Sequence, residues 1–212
     1  MATPTPKPDS RVLLPRVSWG TYERLVDDLS NQSAPRLVFD RGTLEIMSPT
    51  AEHEELNRLL SSLVEAACEI LGLDYRSLGS TTFKRDDLLR GFEPDSCFYI
   101  QNVDRIKAKK RISLPDDPPP DLVIEVDITS TSIDKLPIYA AIGVNEVWRH
   151  DGSTLRIYHL DSDRYISVDQ SRVLAPLGIA EIGHLVEASR SMARPAWVQT
   201  VRREVSALVD RK

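Results

Sequence analysis

The stretch Pro120-Asp121-Leu122-Val123-Ile124-Glu125-Val126-Asp127-Ile128 is a nearly continuous run of apolar and β-branched residues, with the carboxylate of Glu125 enclosed between Ile124 and Val126. Such runs are typical of central strands that are buried on both faces of a sheet. A buried carboxylate is costly unless it pairs with a cation, accepts hydrogen bonds or binds a metal. The sequence therefore predicts that Glu125 has a cationic partner, and that partner defines the candidate site.

Length and composition limit the class of protein. The chain has 212 residues, of which 41% are hydrophobic and 28% charged, as expected for a globular protein with a substantial core. Its formal net charge of −5 excludes a protein that coats nucleic acid through overall positive charge. A local basic patch remains compatible with that charge, because physiological salt screens exposed charges beyond about 8 Å.

Cysteine usage and hydropathy indicate the compartment. Cys68 and Cys97 stand outside any CxxC or Cys/His cluster, so a zinc site has no support and buried free thiols are predicted. Free thiols fit a reducing compartment. No apolar run approaches the roughly 18 residues of a membrane span, and the N-terminus lacks a signal-peptide core. We therefore expect a cytoplasmic protein.

The remaining pattern predicts a mixed α/β (α+β) fold, with a mixed central β-sheet flanked by helices. Residues 1–17, rich in proline at the start, are expected to be a flexible tail, and 18–212 a single domain. Ser18 is predicted to cap an N-terminal helix, and Gly72 to end a long helix over 51–71. The other predicted elements are a hairpin over 36–47, strands over 75–84, 91–100, 144–150, 154–160 and 165–168, and helices over about 131–141 and 195–210.

A second carboxylate in an apolar strand is Asp95, which follows Pro94. If Asp95 and Glu125 converge at one edge of a sheet, their repulsion calls for a cation between them. Carboxylate oxygens select a hard divalent ion, Mg²⁺ or Mn²⁺, and the main-chain carbonyl of Val126 could add a ligand. The alternatives are that Asp95 only starts the strand, and that Glu125 forms a structural ion pair with a lysine.

Lys135 lies early in the helix predicted after the Glu125 strand, so it can reach back over the strand end. Beside a metal, its ammonium could orient the attacking water or stabilise the charge that develops on a phosphate. Tyr139 lies one turn further along the same helix face. A helix lysine alone is usually solvated, so the specific signal is its combination with Asp95 and Glu125.

The segments Glu-Pro-Asp at 93–95, Pro-Asp-Leu-Val-Ile-Glu-Val at 120–126 and Asp-Lys-Leu-Pro-Ile-Tyr-Ala-Ala-Ile-Gly-Val-Asn-Glu-Val-Trp at 134–148 resemble the Uma-two family of endonucleases, within the PD-(D/E)xK superfamily. The segment Gly-Thr-Leu-Glu-Ile-Met-Ser-Pro at 42–49 is similar too, and the resemblance covers about 18–168. It implies a restriction-endonuclease-like core and metal-dependent hydrolysis of DNA phosphodiester bonds, with Asp95 and Glu125 as ligands. Such nucleases often pair, so the resemblance also suggests a homodimer.

One position departs from the superfamily pattern, because the residue two after Glu125 is Asp127 where a lysine is expected. The resemblance then assigns the lysine's role to Lys135. Asp127 shares the face of Glu125 by strand alternation, so it is either an additional ligand or a cap of the next turn. The resemblance also suggests Glu52 as a direct or indirect metal ligand. His53 could act as a base or phosphate contact, or be structural.

Two alternatives remain open at this stage. The basic residues between Arg105 and Arg111 could contact a phosphate backbone or simply form a solvated loop. The acidic net charge also favours a rival hypothesis, in which the nuclease fold is a catalytically silent module that binds nucleic acid or a partner protein. Metal binding would separate the two.

Overall fold

The structure, a computed structural model, describes residues 9–30, 35–128 and 133–211. Within these ranges the chain forms two β-sheets and six helices. The strands are β1 (Ser10–Leu14), β2 (Arg36–Asp40), β3 (Thr43–Ser48), β4 (Arg76–Ser77), β5 (Phe83–Arg85), β6 (Arg90–Phe92), β7 (Ser96–Tyr99), β8 (Leu122–Val126), β9 (Glu146–His150), β10 (Leu155–Asp161) and β11 (Arg164–Val168). The helices are α1 (Trp19–Leu29), α2 (Ala51–Leu71), α3 (Val103–Ile106), α4 (Leu136–Ile142), α5 (Ile179–Ser189) and α6 (Arg194–Val209).

The six-stranded sheet has the order β11-β10-β9-β8-β7-β4, which places the decisive stretch near its centre as β8. All five residues of β8 are buried, as its composition predicts. The strand pairs antiparallel with β7 and parallel with β9, so the sheet is mixed. Residues from one face of the sheet pack with α2, α5 and α6, and residues from the other face pack with α4.

The five-stranded sheet is antiparallel, with the order β1-β3-β2-β6-β5. The predicted hairpin forms β2 and β3, and the predicted cap of α1 is present, because the hydroxyl of Ser18 accepts the main-chain N–H of Thr21 at 3.2 Å. Tyr22 of α1 stacks on Phe39 of β2 with ring centroids 4.9 Å apart. The helix therefore covers this sheet through aromatic contacts.

The expected flexible tail over 1–17 is wrong for Ser10–Leu14. These residues form β1, an edge strand that pairs with β3 from Ser10 opposite Ser48 to Leu14 opposite Leu44. Composition indicates only how a segment behaves alone, whereas the open edge of β3 supplies main-chain partners from a distant part of the chain. Residues 1–8 lie outside the described residues.

Other differences concern short elements. The two strands predicted over 75–84 and 91–100 are four shorter ones, β4 to β7, divided between the two sheets. Helix α4 begins at Leu136, and the predicted start of this helix, up to residue 132, lies outside the described residues. Helix α5 has no counterpart among the predicted elements; it begins after Gly178, whose main-chain N–H is bound by the Glu181 carboxylate at 3.0 Å. Within the described ranges, no helix combines the length and hydropathy needed to cross a bilayer.

A methyl group at Gly91 is expected to destabilise the protein by about 1–3 kcal/mol, the cost of overpacking a core. A Cβ atom built there would lie 2.6 Å from Cζ and 2.8 Å from Cε1 of Tyr22, a fully buried ring that cannot move aside. Urea unfolding of Gly91→Ala measures the loss. Gly20→Ala is the control: no atom lies within 4 Å of its Cβ position, so it should gain up to about 1 kcal/mol as a helical alanine. Equal stability of Gly91→Ala and wild type would contradict this packing.

Candidate active site

Asp95 and Glu125 occupy opposing positions on two neighbouring strands. Asp95 directly precedes β7, and the register that pairs Ser96 with Ile124 sets Asp95 opposite Glu125. Directly opposed residues of antiparallel strands project from the same face of the sheet. The main-chain N–H of Val126 also donates to Oδ2 of Asp95 at 2.7 Å. The two strands therefore bring both predicted carboxylates, and the predicted Val126, to one place.

The Asp95 carboxylate is fully buried and is neutralised by Arg36, the first residue of β2. Nη1 of Arg36 donates to Oδ1, and Nε2 of His53 lies 2.9 Å from the same oxygen. Nη2 of Arg36 binds Glu54 on the first turn of α2. Arg36 was missed by the sequence reasoning, although a lone arginine at the start of an apolar strand is a signal that could have been used.

The Glu125 carboxylate pairs with Lys135, the residue that directly precedes α4. The other carboxylate oxygen of Glu125 accepts a hydrogen bond from the hydroxyl of Tyr139, one turn along that helix. Burial and the negative charge of Glu125 hold the pKa of Tyr139 far above its ordinary value, so this hydroxyl stays a donor. The lysine expected to reach back to the strand therefore does so, at the cost of being itself almost fully buried.

Asp127 shares a small cavity of about 10 Å³ with Glu125 and Lys135, close to the space of one water molecule. One oxygen accepts from Nε of Arg149 at 2.6 Å. The other, Oδ1, is buried and has no hydrogen-bond partner among the described residues. The nearest cation that the structure gives for it is Arg11 of β1, whose Nη2 is 3.8 Å away. This oxygen therefore forms an ion pair with Arg11 but has no hydrogen bond among the described residues.

His53 is completely buried between two carboxylates. Its Nδ1 lies 3.2 Å from Oδ2 of Asp9, and its Nε2 lies 3.2 Å from Nη1 of Arg36. Burial, assisted by the charge of Arg36, lowers the pKa of the imidazole below its ordinary 6.5, although Asp9 opposes the shift. Nη1 of Arg36, which can only donate, meets Nε2 as an acceptor, and this is the hydrogen bonding of a neutral imidazole.

Glu52 is not brought to Asp95. Its side chain is exposed and lines a separate cleft with His150 and Arg190, whereas Glu54, two residues on, reaches the site through Arg36. Glu52 lies away from the site because the buried face of α2 runs through His53 and Asn57. The basic group after residue 104 is partly paired as well: Lys107 binds Asp74, and Lys109 binds Asp117.

The family model described as "Putative restriction endonuclease", Uma2, matches residues 19–183. The chain belongs to the Uma2 family. A crystal structure of "a putative nuclease belonging to DUF820" from Anabaena variabilis aligns with a TM-score of 0.51 at 15% identity, covering 80% of this chain and 99% of that one. At this identity the likeness establishes the fold, so the restriction-endonuclease-like prediction is confirmed. No curated protein sequence matches the chain.

The restriction-endonuclease-like fold implies a divalent cation, and the residues present can be tested for it. Among the described residues, no three His, Cys, Asp or Glu side chains converge as a ready metal cage. Arg36 and Lys135 hold the two opposed carboxylates instead. Metal binding therefore needs these ion pairs to rearrange. The donors are hard carboxylate oxygens, including Oδ1 of Asp127, which has no hydrogen bond among the described residues, and such oxygens suit Mg²⁺ or Mn²⁺.

Proposed function

We propose that this Uma2-family protein is a divalent-metal-dependent endonuclease that hydrolyses phosphodiester bonds in DNA. The observation that carries the proposal is the pair of opposed, buried carboxylates, one directly before β7 and one on β8, with Lys135 bound to the second. Asp95 and Glu125 would hold the ion, with Asp127 and the Val126 carbonyl as further donors. When bound, Mg²⁺ or Mn²⁺ would supply Lewis-acid stabilisation of the phosphate and acidify a water molecule.

The chain's own residues set the geometry of the reaction. Tyr139 holds one oxygen of Glu125 by a hydrogen bond, so the carboxylate keeps a single orientation. Lys135 is held at the other oxygen, where its ammonium can orient the attacking water and stabilise charge on the phosphate. Arg36 has a second partner in Glu54, which lets it move from Asp95 without becoming an unpaired charge.

The second candidate is a catalytically silent module that binds nucleic acid or a partner protein. The observation that favours it is the saturation of Asp95 and Glu125 by Arg36 and Lys135, together with Asp127 where the superfamily has lysine. In this case no metal displaces Arg36 from Asp95 or Lys135 from Glu125. A homodimer and a cytoplasmic location remain predictions from the sequence.

Titration with Mn²⁺ and cleavage of plasmid DNA in Mg²⁺ or Mn²⁺ test the proposal. We expect Asp95→Asn to bind Mn²⁺ at least about tenfold more weakly than wild type, because it removes one anionic ligand. Asp104→Asn makes the same chemical change at an exposed position of α3 and should match wild type. Absence of both Mn²⁺ binding at millimolar concentration and cleavage would favour the silent module.

A further inference from the structure

Asp9 reaches the site from a segment that the family match, which begins at residue 19, does not cover. Its carboxylate is buried, with a side-chain exposure of 1%. Oδ1 accepts the main-chain N–H of Thr50 at 2.9 Å, and Oδ2 lies 3.2 Å from Nδ1 of His53. Because Thr50 caps α2, Asp9 ties the start of β1 to the first turn of the helix that carries His53.

The partners of the imidazole decide which of its nitrogens carries the proton. A neutral imidazole has one N–H donor and one acceptor nitrogen. An ionised Asp9 is an acceptor only, and although burial raises its pKa, the Thr50 N–H and His53 bring the net value below the ordinary one. Arg36, on the other side of the ring, is a donor only. A proton on Nδ1 satisfies both contacts. A proton on Nε2 would lose both, and its remaining acceptor would be Oδ1 of Asp95, 2.9 Å from Nε2.

We propose that Asp9 is a positioning residue: it fixes the Nδ1–H tautomer of His53, so that Nε2 accepts from Arg36 and holds that guanidinium against Asp95. The contacts form one ordered chain, from Asp9 through His53 and Arg36 to Asp95. Hydrogen bonding at the second ring nitrogen sets the role of the first in other histidine sites. The tautomer follows from these contacts alone; its effect on cleavage rests on the proposed nuclease function.

Asparagine at this position is a nearly isosteric test. If its oxygen keeps the bond to the Thr50 N–H, its amide nitrogen faces Nδ1 of His53 and can only donate. The imidazole must then carry its proton on Nε2, which turns a hydrogen bond with Arg36 into a clash between two donors. Nε2–H would be directed at Asp95 Oδ1, 2.9 Å away, and would compete with Arg36 for that carboxylate.

The experiment is ¹⁵N NMR of the 212-residue chain labelled at its four histidines, at pH 8, with His53→Gln used only to assign the signals. We expect Nδ1 to carry the proton in wild type and Nε2 to carry it in Asp9→Asn. Asp28→Asn, an exposed change on α1, should leave the tautomer as in wild type. The inference would be overturned by a proton on Nε2 of His53 in the wild type, or by an unchanged tautomer in folded Asp9→Asn. If the variant does not fold, the wild-type spectrum alone still tests which nitrogen carries the proton.

Cleavage kinetics in Mn²⁺ supply the functional readout. Asp9→Asn should lower kcat about 10–100-fold with little change in KM, the range found for groups that orient a metal-site residue. A switched tautomer with unchanged kcat would show that Asp9 does not act on the reaction. If wild type cleaves nothing, the proposed function fails, while the NMR result still decides whether Asp9 sets the tautomer.

Discussion

Replacing Glu125 by glutamine is expected to lower metal-dependent DNA cleavage by about a thousandfold, the upper range for loss of one group that stabilises charge in a transition state. Glutamine keeps the shape of the side chain and can still accept from Tyr139. It removes the negative charge that would bind the cation and that holds Lys135 in place. The rate constant under single-turnover conditions in Mn²⁺ measures the loss.

The same change also tests how the buried pair contributes to stability. Glu125 and Lys135 have side-chain exposures of 2% and 6%, so removing one charge leaves the other buried without its partner. Breaking such a pair typically costs about 3–5 kcal/mol. A companion Glu125→Gln/Lys135→Met double variant removes both charges and should recover much of that free energy of unfolding without recovering cleavage.

Two controls make the result interpretable. Glu187→Gln removes a carboxylate that is 70% exposed on α5, and it should leave both cleavage and stability unchanged. Far-UV circular dichroism at the assay temperature establishes that Glu125→Gln is folded. Undiminished cleavage by folded Glu125→Gln would exclude this carboxylate from catalysis and would move the site elsewhere.

The pair formed by Glu125 and Lys135 shows what the sequence alone can predict. The strand and the next helix are adjacent in the chain, so an apolar run followed by a helix start is enough to bring the two side chains together. Long helix α2 was predicted for the same local reason, since its apolar spacing and its stop at Gly72 lie within one segment. Contacts and elements that depend on residues close together in the chain can therefore be predicted from the sequence.

The pair formed by Arg36 and Asp95 shows what local sequence patterns cannot predict. These residues are 59 positions apart, and they meet because β2 pairs with β6, which ends three residues before Asp95. Nothing in the spacing of either residue indicates that pairing. The same holds for Asp9 and Arg11, because β1 gains its conformation from the edge of β3 and not from its own composition. Most contacts between the site carboxylates and their neighbours join residues that are far apart in the chain.

Replacing Glu146 by leucine is expected to destabilise the protein by more than about 4 kcal/mol. Glu146 lies in the Gly-Val-Asn-Glu-Val-Trp segment at 143–148, which contributed to the family resemblance, and is 1% exposed. Its carboxylate accepts the indole N–H of Trp148 at 2.7 Å, and it lies 3.1 Å from Nε2 of His159. It also binds the turn after β11, through the Ser171 hydroxyl and the main-chain N–H groups of 172 and 173.

The size of the effect follows from these donors. Leucine would leave four of them without an acceptor inside the protein, and each buried unsatisfied donor costs about 1–3 kcal/mol. Glu146→Gln keeps one carbonyl oxygen and should lose less. Urea unfolding of both variants measures this order, and Glu187→Leu, an exposed change, should stay within about 0.5 kcal/mol of wild type.

The Glu146 variants also test whether this residue of the segment 143–148 has a structural or a catalytic role. The contacts of this carboxylate join β9 to the turn that leads into α5, while those of Glu125 join β8 to α4 beside Asp127. Folded Glu146→Gln should therefore cleave DNA in Mn²⁺ as wild type does, despite its lower stability. Loss of cleavage with unchanged stability would place Glu146 in the catalytic machinery. It would overturn the assignment of the reaction to the carboxylates of Asp95 and Glu125.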